Sequence, residues 1–241
     1  MINNFNFPEG IKWRLRYTSG PDFFSNDFEF IDADSLYYLE GSRTAIPNIN
    51  ISKSTTTYYM FNGCSSLIAI PQLDTSNVTN MSYMFSGCSS LIAIPQLNTS
   101  NVTNMTNMID SCTSLTTIPQ LDTSNVASMS YMFYNCSNLR YIPLLDCGKV
   151  TNNYAMFNPT YMSDYTYLTD LGGFKNLKVS LDIQKAPKLT VQSLMNVINN
   201  LYDFRANGES TTRTLTLGTT NLNKLTDEQK AVATNKGWSL N

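Results

Sequence analysis

Four cysteines fall 24 residues apart, at Cys64, Cys88, Cys112 and Cys136, and they are the first residues in this chain whose type and spacing could do chemistry. A thiolate can attack an electrophile, hold a metal or exchange with a disulfide. Equivalent positions of a repeat stack as a column, and a column one repeat apart does not make the tetrahedron a structural zinc site needs. A disulfide needs Cα atoms about 4.4–6.8 Å apart. Adjacent copies come near that separation, but equivalent side chains point the same way. Buried thiols acting as small hydrophobes are therefore the expectation. Cys147 lies out of register and is expected to be free.

The second recurring set is Asp74, Asn98, Asp122 and Asp146. A carboxylate column would suit calcium, but Asn98 breaks the charge. The neighbouring Thr75, Ser76 and Asn77 point instead to a ladder of hydrogen-bonded turns. Asn77-Val78-Thr79 and Asn101-Val102-Thr103 match a glycosylation pattern, which the repeat produces as a by-product. The chain has no histidine, which removes Ser-His-Asp and Cys-His nucleophile systems and His-ligated metal sites. Glycoside hydrolysis would need two carboxylates roughly 5–9.5 Å apart, whereas the recurring acids here are equivalent corner residues. No enzyme, no metal and no cofactor is expected.

The elements that position these residues are set by the period itself. Met60-Phe61 returns as Met84-Phe85, Met108-Ile109, Met132-Phe133 and Met156-Phe157. Leu67, Leu91, Leu115 and Leu139 follow the cysteines, and then come the pairs Ile70-Pro71, Ile94-Pro95, Ile118-Pro119 and Ile142-Pro143. A fixed period of 20 to 50 residues signals a solenoid, whose units bury an apolar face only by stacking on neighbours. Within one copy, Leu91-Ile92-Ala93-Ile94 reads as a short strand, and Pro95, which has no N–H to donate, should end it. After a polar corner, Val102, Met105, Met108 and Ile109 recur at helical spacing. Gly87 in the preceding copy reads as a helix C-cap. The methionine column is core filling.

The expected organisation is a strand-rich cap or attachment segment over 1–45, 24-residue repeats over 46–157, and irregular strand–helix units with a terminal cap over 158–241. In the first segment, alternation from Ile11 to Tyr17 predicts a strand, Ser19-Gly20-Pro21 a turn, and Phe23, Phe24, Phe28 and Phe30 mark an aromatic-rich stretch. In the last, Lys178–Ile183 and Thr214–Gly218 read as strands. Thr190 should cap a helix carrying Val191, Leu194, Val197, Ile198 and Leu201. Thr226 with Gln229 forms a capping-box pattern for a final helix that Gly237 should stop.

The copies MFNGCSSLIAIPQLDTSNVTNMS and MFSGCSSLIAIPQLNTSNVTNMT, over about residues 46–157, resemble the leucine-rich repeats of BspA-like bacterial surface proteins. They depart from the commoner pattern in the 24-residue unit and the Met-rich segment. The ending from LTVQSLMNVINNL onward resembles that of phage tail-associated repeat proteins. These resemblances imply an α/β right-handed leucine-rich-repeat solenoid with short parallel strands, short helices and irregular end caps. They imply a binding role with no particular ligand.

The net charge of −2 gives no electrostatic footprint for nucleic acid, and no run of apolar residues is long enough to span a membrane. The opening MINNFNFPEGIKW lacks the basic and apolar regions of a signal peptide. The expectation is a trimmed mature form or release without classical secretion, as by phage lysis. Positions that vary between copies mark the surface: Ile68-Ala69 and Ile92-Ala93 become Thr116-Thr117 and then Arg140-Tyr141. Tyr and Arg are favoured at binding hot spots. Tyr131, Tyr134, Arg140, Tyr141, Tyr154 and Tyr161 are therefore the candidate ligand site, with Tyr165 and Tyr167 nearby, although the same aromatics could simply cover the junction with the C-terminal cap. The expected function is non-enzymatic recognition or adhesion by an exposed bacteriophage virion component, a fibre or decoration protein, with a protein or glycan on a host surface and other virion proteins as partners. The alternatives are a bacterial cell-surface or secreted adhesin and a glycan-cleaving enzyme.

Overall fold

A computed structural model describes residues 14–16, 37–40, 44–46, 51–157 and 164–241. The turn at Ser19-Gly20-Pro21, the aromatic stretch from Phe23 to Phe30 and Tyr161 lie outside the described residues. Near the start, β1 (Arg14–Arg16) pairs in parallel with β2 (Tyr37–Glu40).

From 51 to 157 each copy is bonded to the next at the period read from the sequence. Met81 N–H donates to Asn104 O, Tyr83 N–H to Thr106 O, Phe85 N–H to Met108 O and Gly87 N–H to Asp110 O, at 2.8–2.9 Å. The residues between them bond locally: Met84 N–H to Met81 O, Ser86 N–H to Tyr83 O and Cys88 N–H to Phe85 O. One amide in two thus reaches the neighbouring copy while the others close tight turns. Parallel bridges link Thr56, Asn80, Asn104, Ser128 and Asn152 in sequence.

This corrects the expected short helix. No α-helix occurs among the described residues before Val191, because an α-helix would commit every amide to its own i−4 carbonyl. Here two residues per copy take positive φ and break that path. The first column is Tyr59, Tyr83, Asn107, Tyr131 and Ala155, and the second is Gly63, Gly87, Ser111 and Asn135. Gly87, at φ 77°, is a turn residue inside this chain of turns and not a helix cap.

The expected strand is also slighter than read. Residues 91–94 make no strand, and the rung there amounts to single bonds such as Ile92 N–H to Ile68 O and Arg140 N–H to Thr116 O. The prolines explain the brevity, since each removes the donor that would extend the ladder. Longer pairing begins where the 24-residue pattern fades. There β3 (Tyr141–Ile142) pairs with β5 (Asp170–Leu171), and β4 (Leu145–Asp146) with β6 (Phe174–Lys175), all parallel. Gly172 allows this register, because a Cβ there would sit 2.3 Å from the Leu144 nitrogen.

Beyond it, β7 (Leu181–Asp182), β8 (Arg213–Thr216) and β9 (Trp238–Leu240) form a parallel sheet in that order. They alternate with α1 (Val191–Asn200), α2 (Gly218–Leu222) and α3 (Asp227–Asn235). Thr190 caps α1 through the Ser193 amide, and Thr226 and Gln229 form a complete capping box on α3. Gly237 follows the end of α3 at φ 92°. The expected caps therefore hold, while α2 and β9 carry no comparable sequence signal. The described sheets have two or three strands and none closes into a barrel.

The core is a set of columns. Val78, Met81, Met84, Phe85, Cys88 and Leu91 have no exposed surface, and their counterparts in the next copies are buried alike. Phe61 stacks on Phe85 with ring centroids 5.5 Å apart. At the far end Phe157 packs on Phe133, Tyr165 and Phe174, joining the repeats to the irregular part.

Candidate recognition surface

The copies hold exposed residues in register with neutral side-chain ladders. Gln72, Gln96 and Gln120 each donate Nε2 to a backbone carbonyl of the next copy, ending on Leu144 O. Asn77, Asn101 and Asn125 donate Nδ2 to the preceding copy, on Ser52, Ser76 and Ser100. The two asparagines of the glycosylation pattern are thus engaged in the ladder. Asp74, Asn98, Asp122 and Asp146 each accept the amide two residues on, forming the expected turns. Hydrogen bonds from the Ser76 and Ser124 hydroxyls, then from their amides, hold the Asp74 and Asp122 carboxyls below the usual range.

The five described candidate residues divide between two rungs. Tyr131 sits at φ 55° in the turn rung, its N–H bonded to Tyr154 O at 3.0 Å. Its ring meets Tyr134 at 5.5 Å and Tyr154 at 5.4 Å, both edge to face. Tyr154 is 68% exposed and forms the outer edge of this cluster. Arg140 and Tyr141 lie on the other rung. The Arg140 guanidinium sits 5.8 Å from the Tyr167 ring centre, within cation–π range. Tyr141, 45% exposed, is flanked by Thr117 on one side and Asp170 on the other. Tyr161 lies outside the described residues. Tyr165 is a correction to the surface reading: it is fully buried, and its hydroxyl donates to Phe133 O.

Two concave features were missed from sequence. A groove of about 570 Å³ runs across the corner ladder, lined by Gln96, Gln120, Asp122, Asp146 and Lys175 among others. Lys175 and Asp146 pair across it at 3.3 Å. The 24-residue recurrence of glutamine could have signalled the groove. A cleft of about 330 Å³ separates Asn153–Phe157 from Ser180–Asp182 and Thr216. It lies where the period breaks, so no repeat pattern could have announced it.

The cysteines offer no reactive thiol. All five are buried and none forms a disulfide, and Cys88, Cys112 and Cys136 donate to the carbonyls of Phe61, Phe85 and Ile109 at 3.0–3.1 Å. Burial pushes the Cys88 and Cys147 thiols up to about 12, and raises Cys112 and Cys136 as well. Among the described residues no group of His, Cys, Asp or Glu is placed to hold a metal ion. No described helix is long and apolar enough to cross a membrane.

Residues 55–167 match a family model described as Mycoplasma protein of unknown function, DUF285, which is consistent with BspA-like repeat surface proteins. No curated protein matches the chain, and no solved structure does.

Proposed function

We propose that this chain is a non-enzymatic recognition protein, a right-handed leucine-rich-repeat solenoid over about 46–157 with terminal segments at 1–45 and 158–241, displayed on the outside of a bacteriophage particle. The observation that carries the reading is the contrast between a frame of repeated neutral side-chain ladders and the exposed Arg140, Tyr141 and Tyr154, which stand where the preceding copy has Thr116, Thr117 and Ser130. Uniform ladders keep spacing constant, so the side chains that vary at exposed positions are free to specify a ligand. Tyr131, Tyr134 and Tyr154 are one contact set, and Arg140 with Tyr141 the other, for a protein or glycan on a host surface. The test is mass spectrometry of purified phage particles from the source community, searched for peptides of this chain. Stoichiometric recovery supports a virion component, and recovery only in bacterial envelope fractions overturns it.

A second reading, suggested by the resemblance of the repeats to those of BspA-like surface proteins, is an adhesin on a bacterial cell surface. Both share the contact residues. Substituting Tyr154→Ala and Arg140→Ala together should weaken adherence of the purified chain to intact bacterial cells by roughly tenfold or more, the order of one or two lost hot-spot contacts. Unchanged adherence across bacterial strains that bind the parent chain would remove these residues from the site.

A further inference from the structure

The cleft beside Asn153–Phe157 exposes a rung of the backbone ladder that none of the described residues completes. In four successive junctions the amide two residues before the positive-φ residue donates to the next copy: Thr57 to Asn80 O, Met81 to Asn104 O, Met105 to Ser128 O and Met129 to Asn152 O. The positive-φ residue does the same in all four: Tyr59 to Ser82 O, Tyr83 to Thr106 O, Asn107 to Ser130 O and Tyr131 to Tyr154 O. The amide two further on donates likewise in three of them, from Phe61, Phe85 and Phe133. The corresponding donors in the next copy are Asn153, Ala155 and Phe157, and among the described residues no carbonyl accepts from them. Ala155 keeps the positive φ of its column, at 47°, so the donor geometry persists where its acceptors stop.

Here the ladder stops: β7 pairs with β8 as the edge of the three-stranded sheet, and no described strand pairs with this rung. The Asn153 side chain donates to Ser180 O at 2.8 Å and ties the two walls together at one place. Between the walls lies the cleft of about 330 Å³, with Met156, Phe157 and Leu181 buried at its base and Tyr154 exposed at its rim.

We propose that this cleft is a binding site for a polypeptide segment that takes the backbone path of the turn rung, runs parallel to residues 153–157 and presents carbonyls at alternate positions to the Asn153, Ala155 and Phe157 amides. The occupant's class derives from continuity with the interface the molecule already uses. In the four junctions before this one the equivalent amides are met by carbonyls two residues apart on a neighbouring rung of tight turns, so the occupant is a polypeptide that can present its carbonyls along that same path. Backbone bonds supply the attachment, and the apolar base with the Tyr154 rim selects uncharged side chains. The site does not depend on where the protein is displayed, and its test is separate from the particle analysis.

The probe is a synthetic peptide with the sequence of residues 150–157, which carries the carbonyls to which the Met129, Tyr131 and Phe133 amides donate within the chain. Amide hydrogen exchange of the full chain, resolved by residue, is measured with and without millimolar peptide. In the free chain, Asn153 and Ala155 should exchange roughly tenfold or more faster than Met129 and Tyr131. The peptide should slow Asn153 and Ala155 by a similar factor, whereas a scrambled peptide should not. Two results would overturn the proposal: amides already as protected as Met129 and Tyr131 in the free chain, or no protection at saturating peptide. Ser180→Trp narrows the cleft from the opposite wall and should abolish the peptide effect. Unchanged Met129 and Tyr131 exchange in that variant shows the fold is retained, and peptide protection persisting there would place binding elsewhere.

Discussion

At the level of single residues, the repeat shows which polar groups the stack needs and which it merely tolerates. The Thr75 and Thr123 hydroxyls each donate to the next copy, on Asn98 O and Asp146 O, at 2.8 Å. The equivalent Thr99 hydroxyl is as deeply buried and has no partner. A satisfied hydroxyl contributes about 1 kcal/mol, and an unsatisfied one carries its desolvation cost with nothing to offset it. Thr99→Val should therefore be neutral or stabilising and Thr123→Val should cost about 1 kcal/mol, as measured by urea unfolding. Equal losses would show that the hydroxyl bond is not what separates them. The thiols give a second test. With folded values pushed to about 12 for Cys88 and Cys147, an unfolded thiol, which titrates near 8.5, loses its proton first. Their stabilisation is thus fully present below about pH 8.5 and is lost as pH rises toward 12. The native chain should resist iodoacetamide at pH 8 and alkylate at all five cysteines in urea. Its melting temperature should fall from pH 8.5 to 11, with a smaller fall in Cys147→Ala. Rapid native alkylation would mean the column is open to solvent.

Among the elements, what was legible in the sequence was the register, and what was not was the backbone path between register points. The columns of Met, Cys, Leu and Ile were readable because each must be apolar to be buried, and all but the half-buried Ile70 are buried. The caps at Thr190 and Thr226 were readable because a short polar side chain before an apolar run has one good use there. The turn rung was misread as helix because Val102, Met105, Met108 and Ile109 satisfy helical spacing, while inward-facing turn residues can recur at the same intervals. The contrary signal was weak. Glycine at 63 and 87 gives way to Ser111 and Asn135 at the same positive φ, so the demand on backbone was masked by residues that tolerate it imperfectly. Of the candidate site, the aromatic positions were legible as departures from the repeat, but not their division between two rungs, nor the burial of Tyr165. Gly87→Val tests the turn reading, since a β-branched residue resists φ 77° and its Cβ would meet Gly63 Cα at 3.4 Å. It should cost about 1–3 kcal/mol. If the segment were helical in solution, valine in place of glycine would stabilise it instead.

Across the whole molecule, copies bond to their immediate neighbours, and the charges contribute little. The described ion pairs, Lys175–Asp146, Lys185–Asp164 and Lys230–Asp227, each have a partly or largely exposed member, the regime in which such pairs contribute about 0–1 kcal/mol. Cohesion therefore comes from the apolar columns and the ladders that run through them. A defect in the middle of such an array should do more than subtract energy, because it weakens the junctions on both sides at once. Leu115 is the natural place for it, fully buried in the third cysteine-bearing copy between Leu91 and Leu139. Leu115→Ala should cost about 2–5 kcal/mol, the usual range for a core leucine. It should also divide the cooperative unit. The amides of 51–111 should gain exchange through local opening, while those of α1, α3 and the β7-β8-β9 sheet, which have their own caps and core, keep nearly parental protection. The same substitution at Leu194, inside α1, should leave the 51–111 amides nearly unchanged. If both variants instead lost protection uniformly along the chain, stability would be global and the neighbour-by-neighbour description would fail.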